Sequence, residues 1–266
     1  MNNVFEIKTI PENHSLVTGG MLGIKIICDM LIEKGDEVII VGPVWPNIRS
    51  SVILRQGKIK EVNLKLEDEW KLDIKELCSS ISEKTKMVFI NSPSNPTGWM
   101  LTENEQEEIL KHIRKKNCWL ISDEVYHQIV FDRNVSSSFL QFSKPDDKLI
   151  VINSSSKSFN MTGWRIGWIT HPVFIAPHVA KLVQISTTGV PEFLQEGFHF
   201  ALLNYKPIVS KVKKDLKNSR NFVFEKTKNW KRINLPYTNA AFYCFFKIKN
   251  MNDSISFAKY LIEKTQ

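Results

Sequence analysis

Apolar runs rich in β-branched residues recur along this chain, separated by stretches in which apolar positions fall at helical spacing. The runs predict strands at 15–18 ("SLVT"), 38–41 ("VIIV"), 59–64 ("IKEVNL"), 87–91 ("MVFIN"), 119–123 ("WLISD"), 149–153 ("LIVIN") and 166–170 ("IGWIT"). Amphipathic segments such as "MLGIKIICDMLIEK" and "ENEQEEILKHIRKK" lie between most of them. Strands apolar on both faces that alternate with helices predict a largely parallel sheet covered by helices. The helix from 103 carries its own start signal, because Thr102 and Glu105 spell a T-x-x-E capping box.

After residue 171 the pattern changes to helices, ending in a long basic amphipathic helix at roughly 205–230. "AAFYCFFKI" then predicts one strand, and "SISFAKYLIEKTQ" one helix running to the last residue. One strand and one helix cannot bury their own apolar faces, so this tail reads as the beginning of a second domain. The expected division is a large ligand-binding domain at 1–205, then a linking helix and partial small domain at 206–266.

Composition narrows the function classes. At 266 residues and 42% hydrophobic, the chain is large enough for one big core or two domains. Cys28, Cys78, Cys118 and Cys244 form no C-x-x-C pair and read as packing residues in a reducing compartment. The six histidines show no ligand spacing, so no metal site is expected. No apolar run approaches the roughly 20 residues of a membrane span. The opening "MNNVFEIKTIPENHS" lacks the apolar core of a signal peptide, which predicts a cytoplasmic protein with no membrane partner. A net charge of +8 invites nucleic acid. However, the lysines are dispersed, densest in "KPIVSKVKKDLKNSR", where they alternate with apolar residues as on a solvated helix face. Nucleic acid is therefore not expected, while the charge suits small anionic ligands.

In open α/β sheets ligands bind beyond the carboxyl ends of the strands. In chain order those ends carry "TGGMLG", "GPVWPN", "NSPSNPTG", "DEVY" and "SSSKSF". Each has a plain reading. "TGGMLG" could be an ordinary turn, although a helix behind it would aim the N–H groups of Gly20, Met21 and Leu22 at an anion. Trp45, between two prolines, could be a packing residue, and Asn95 before Pro96 a rigid turn. Asp123 ends an apolar strand and needs a cation or donors, which a structural ion pair would supply. Glu124 could take that part instead, with solvation at a helix start the simpler reading.

Taken together, these residues suit a flat, cationic heteroaromatic aldehyde bearing a phosphate, which is pyridoxal phosphate. Its phosphate would take the glycine turn, Ser154 and Arg165. Its ring would take Trp45, its ring nitrogen Asp123, its phenolic oxygen Asn95 and Tyr126, and its aldehyde Lys157.

"NPTG", "DEVY" and "SKSFNMTGWRIGW" resemble the signature blocks of the class I/II aminotransferases, fold-type I pyridoxal-phosphate enzymes related to aspartate aminotransferase. The resemblance runs from about residue 15 to the end and includes the eight-residue step from Lys157 to Arg165. It implies a three-layer α/β/α sandwich around a mixed, mostly parallel seven-stranded sheet with the last strand antiparallel, plus an incomplete α+β small domain. It implies transfer of an amino group between an L-amino acid and a 2-oxo acid, in a homodimer. It further implies that Lys157 forms the imine link and moves the proton, and that Asp123 keeps the pyridine nitrogen protonated. Tyr126 and Asn95 would bond the ring hydroxyl, and Trp45 would stack on the ring. Ser154, Arg165 and the backbone of Gly20, Met21 and Leu22 would anchor the phosphate. A cis bond is expected at Asn95–Pro96.

The sequence also departs from the family. Its arginines are Arg49, Arg55, Arg114, Arg133, Arg165, Arg220 and Arg232, with none at the near-C-terminal position that grips the substrate carboxylate bidentately. The family's N-terminal segment is expected to be missing as well. The expectation is a small domain cut at both ends, and an isolated chain that aggregates and binds cofactor weakly. Two other classes stay open: a non-catalytic relative that keeps the fold, and a basic binding module. Related chemistry such as C–S lysis or decarboxylation would use nearly the same residues.

Overall fold

The computed structural model describes residues 2–5, 7–251 and 253–265. Seven strands form its main sheet: β1 (His14–Val17), β2 (Glu37–Gly42), β3 (Lys58–Asn63), β4 (Thr85–Asn91), β5 (Trp119–Asp123), β6 (Leu149–Ser154) and β7 (Gly167–Thr170). They lie in the order β1-β7-β6-β5-β4-β2-β3. β2 runs parallel to β3 and β4, as do β4 to β5 and β5 to β6. β7 is antiparallel to both its neighbours, β6 and β1. The mixed sheet with its reversed last strand is the one the resemblance implies.

Period-two alternation divides the apolar residues of these strands between two cores. Ile40, Phe89, Ile121 and Ile152 join one cluster, which includes Ile27 of helix α1 (Gly20–Leu31). Their chain neighbours Ile39, Val88, Leu120 and Val151 join the other, which includes Leu77 and Ile109. Those two residues come from α3 (Ile74–Ser80) and α4 (Glu103–Lys116), which follow α2 (Asn47–Leu54) along the chain. Helices therefore cover both faces, giving an α/β/α sandwich. The edge strand β3 is mostly exposed and carries Lys58, Lys60 and Glu61, charges that discourage pairing with another edge. The capping box of α4 forms as expected, with Thr102 N–H donating to the Glu105 carboxylate at 2.7 Å and Glu105 N–H to Thr102 Oγ1 at 3.4 Å.

Four more helices follow: α5 (Ala176–Thr187), α6 (Glu192–Leu203), the long α7 (Tyr205–Thr227) and α8 (Ser254–Thr265). Gln266, expected to continue the last of them, lies outside the described residues. "AAFYCFFKI" is not one strand. Lys247–Ile248 at its end pairs antiparallel with Ile233–Asn234, and Ala240 near its start makes an isolated antiparallel bridge with Val130. Its start docks on the backbone after β5, where Phe131 N–H donates to Asn239 O at 2.8 Å and Ala241 N–H to Ile129 O at 2.9 Å. Ala241 takes a left-handed φ of 57°, which turns the chain out of extended geometry. Periodicity also does not reveal the small hairpin of Lys65–Leu66 with Trp70–Lys71.

Candidate active site

The carboxyl ends of the strands converge on an open pocket enclosing about 770 Å³, solvent at its mouth included. Gly20, Met21, Trp45, Asn95, Asp123, Tyr126, Ser154, Lys157 and Arg165 all line it. Leu22 does not. Its N–H turns back to the Gly19 carbonyl at 3.1 Å and its side chain packs against the core, so the expectation that it offers a donor is corrected. Gly20 and Met21 remain at the first turn of α1, where N–H groups have no partner within the helix. Asn91, Ser156 and Thr162 also line the pocket, and sequence reasoning did not single them out.

The glycine turn and Arg165 form one wall. Gly19 has a φ of 86°, and a Cβ there would stand 2.3 Å from Arg165 Nη2, so a larger residue would displace the guanidinium. Arg165 itself is left-handed, with φ 54°, and Nη1 donates to Thr162 O at 3.0 Å. No carboxylate pairs with it among the described residues, leaving a cation suited to an anionic ligand. Ser154 caps the short helix Ser155–Ser158, its Oγ accepting Ser156 N–H at 3.1 Å. That turn carries Lys157 on the pocket wall.

The opposite wall is a chain of bonds between strand ends. Trp45 N–H donates to Asn95 O at 3.0 Å, and Asn95 N–H donates to Asn91 Oδ1 at 2.6 Å. Asn91 Nδ2 in turn donates to Asp123 O at 2.9 Å. Asn91 thus ties the end of β4 to that of β5. The Asn95–Pro96 bond is cis, as the resemblance implies, and so are Gly42–Pro43 and Ser92–Pro93.

Asp123 is buried, and Oδ1 accepts the Val125 N–H at 3.3 Å. Burial pushes its carboxyl up to about 7, opposed by the Val125 N–H and by the charge of Lys157. Lys157 is held below the usual lysine range, first by burial and then by Arg165, with Asp123 pulling the other way. Tyr126 is raised by burial and by its contact with Tyr243, whose hydroxyl lies 2.5 Å from its own, while a bond from Asn95 opposes the shift. Glu124 is not a solvated helix-start residue. It is buried, and Oε1 accepts Ser122 Oγ at 3.0 Å and Phe139 N–H at 3.2 Å, clamping the following loop to the strand end. Burial pushes it to about 7 as well.

An α/β/α sandwich around a mixed, mostly parallel sheet, with a lysine, an acid and an anion-ready glycine turn at its strand ends, is the architecture of fold-type I pyridoxal-phosphate enzymes. The sequence model of the aminotransferase class I and II family matches residues 3–266, and the chain belongs to that family. It is 31% identical over 261 residues to a probable aspartate aminotransferase of Methanocaldococcus jannaschii, covering 96% of this chain and 68% of the relative. To the aspartate aminotransferase of Thermotoga maritima it is 32% identical over 234 residues, 88% of this chain and 60% of that one. The crystal structure of a Thermotoga maritima aspartate aminotransferase superposes with a TM-score of 0.90 at 29% identity, covering 99% of this chain and 68% of that one. The chain thus spans about 60 to 68% of the length of these relatives.

Proposed function

We propose that the protein binds pyridoxal phosphate and transfers an amino group between an L-amino acid and a 2-oxo acid. The observation that carries this reading is the buried Asp123 carboxyl and the half-buried Lys157 amine lining one pocket, with Arg165 on the glycine-turn wall. An acid without an ion-pair partner among the described residues fits a cationic ring nitrogen, and a cation without a carboxylate fits a phosphate. The donor set therefore matches the cofactor that the family uses.

Asp123 would hold a proton on the ring nitrogen. Arg165, Ser154 and the N–H groups of Gly20 and Met21 would bind the phosphate. Trp45 would cover the ring, and Asn95 and Tyr126 would hold its hydroxyl. Bound there, the cofactor supplies an electron sink for the charge that develops when an amino acid loses its Cα proton. Lys157 acts as attachment point and proton carrier. Its lowered pKa raises the fraction of neutral amine able to accept that proton. We assign the ligand pocket to a domain at 1–205 and place the linking helix and small domain at 206–266. A homodimer in the cytoplasm is the proposed setting. Exposed Phe193, Phe200 and Leu203 on α6 suit a second copy, and dispersed cysteines without disulfides suit a reducing compartment.

Borohydride reduction of the protein with pyridoxal phosphate tests the assignment directly. The cofactor should be trapped on the peptide containing Lys157, and Lys157→Ala should trap none. With an amino acid added, whatever single-turnover conversion of the cofactor spectrum the chain supports should slow by several powers of ten in Lys157→Ala. Trapping on another lysine would refute the role of Lys157.

A further inference from the structure

Tyr126 has a neighbour that comes from 117 residues away. The Tyr243 hydroxyl lies 2.5 Å from that of Tyr126, and the two rings meet edge to face with centroids 5.8 Å apart. Phe242 meets the same ring edge to face at 5.4 Å, and its own face lies 5.7 Å from Lys157 Nζ. In a regular strand, residues 242 and 243 would point to opposite faces. Here both rings meet Tyr126, and the fully buried Ala241 that precedes them is left-handed. A non-glycine residue in that conformation is strained and persists where surrounding contacts over-determine it. Those contacts are the bonds of Asn239 and Ala241 to residues 129–131 and the packing of Ala241 with Tyr126 and Ile129.

We propose that Tyr243 is a positioning residue of the pocket: its hydroxyl donates to Tyr126 and leaves the Tyr126 proton directed at the ligand's ring oxygen. Each hydroxyl has one proton. The raised pKa of Tyr126 is the pattern of a Tyr126 that donates to Tyr243 in cofactor-free protein. Once a ring oxygen accepts from Tyr126, Tyr243 turns its own proton to Tyr126, and a donor that itself accepts a bond donates more strongly. The docked segment 239–243 thereby completes a site whose other groups come from the ends of the sheet strands. The charged groups around the pair are Asp123 at the end of β5, then Lys157 and Arg165 across the pocket. α7 presents Leu216 to this cluster, while its Arg220 stacks on Phe131 and Tyr237.

The inference rests on the cofactor reading above, and Tyr243→Phe tests it while keeping the ring. In cofactor-free protein with 13C-labelled tyrosine, the Tyr126 ring-carbon resonance, assigned with Tyr126→Phe, should move in Tyr243→Phe. With pyridoxal phosphate bound, a weaker donor leaves the ring oxygen more basic and better able to retain the shared proton on the linked nitrogen. The midpoint of the visible absorbance titration should then rise by about 0.3–0.7 pH units in Tyr243→Phe, and further in Tyr126→Phe. An unmoved Tyr126 resonance overturns the pairing. A midpoint that moves in Tyr126→Phe but stays put in Tyr243→Phe overturns the role of Tyr243 and leaves the cofactor reading standing. Failure of the wild-type chain to give a lysine-bound spectrum overturns the cofactor reading instead, and the resonance still decides whether the pair exists.

Discussion

The two ends of this molecule are held together in very different ways. β5 and β6 bury every one of their residues, whereas α8 buries none. The 23-residue α7 buries two residues, Val209 and Arg220. In the sheet, each apolar side chain meets helices on one face or the other. In the region after α6, the firm holds are a few specific contacts, chiefly Arg220 between Phe131 and Tyr237 and Tyr243 on Tyr126. Stability and site completion are thus carried by different parts: the sheet supplies the first, and docked pieces help with the second.

Truncating one side chain in each region tests that contrast most strongly. Ile121→Ala, at 1% exposure in the centre of the sheet, should cost about 2–5 kcal/mol in urea unfolding through lost contacts and a cavity. Ile262→Ala, at 58% exposure on α8, should cost less than about 0.5 kcal/mol. Equal costs would show that α8 is packed in solution.

Asp123→Asn probes the boundary between stability and function inside the sheet itself. The unfolded chain ionises this carboxyl near the ordinary value of 3.8, while the folded one holds its proton up to about 7. A raised pKa favours the fold fully at low pH, and that stability is lost as pH rises from about 4 through about 7. Glu124 acts in the same direction, and His127, lowered to about 4 by burial, acts in the opposite one. The difference between variant and wild type isolates Asp123. Cofactor-free Asp123→Asn should match wild type near pH 4 and be more stable by about 1–3 kcal/mol at pH 8, read from melting curves. The same change should weaken cofactor binding. A variant less stable than wild type at pH 8 would mean the carboxylate is already stabilised without a ligand.

A smaller loss than at Ile121 is expected at the surface of the sheet domain. Thr102→Ala removes the side-chain half of the α4 capping box and should cost about 1 kcal/mol in denaturant unfolding.

Much of the architecture was legible locally. Alternation and helical spacing locate the seven main strands within a few residues, because parallel strands buried on both faces must be apolar and short. The rule that ligands gather at strand ends then selects Trp45, Asn95, Asp123, Ser154 and Lys157 without any tertiary information. The misreadings share one cause. Glu124 looked solvated because a charge after a strand usually is, yet its partners Ser122 and Phe139 arrive through a loop closure that no local pattern encodes. "AAFYCFFKI" reads as one strand because its composition is β-rich, yet its start bonds to residues 129–130 while its end pairs with Ile233–Asn234.

The sequence by itself determined the order of strands and helices along the chain and the chemical kinds of residue at each strand end. Both are written in short-range periodicity and in turn-forming glycine and proline. Tertiary structure alone decided that Leu22 turns its N–H away from the pocket, that Asn91 ties two strand ends together, and that Tyr243 reaches Tyr126. Each depends on where a hydrogen bond or ring finds its partner after the chain closes, and such partners are chosen by geometry across the fold rather than by spacing along the chain.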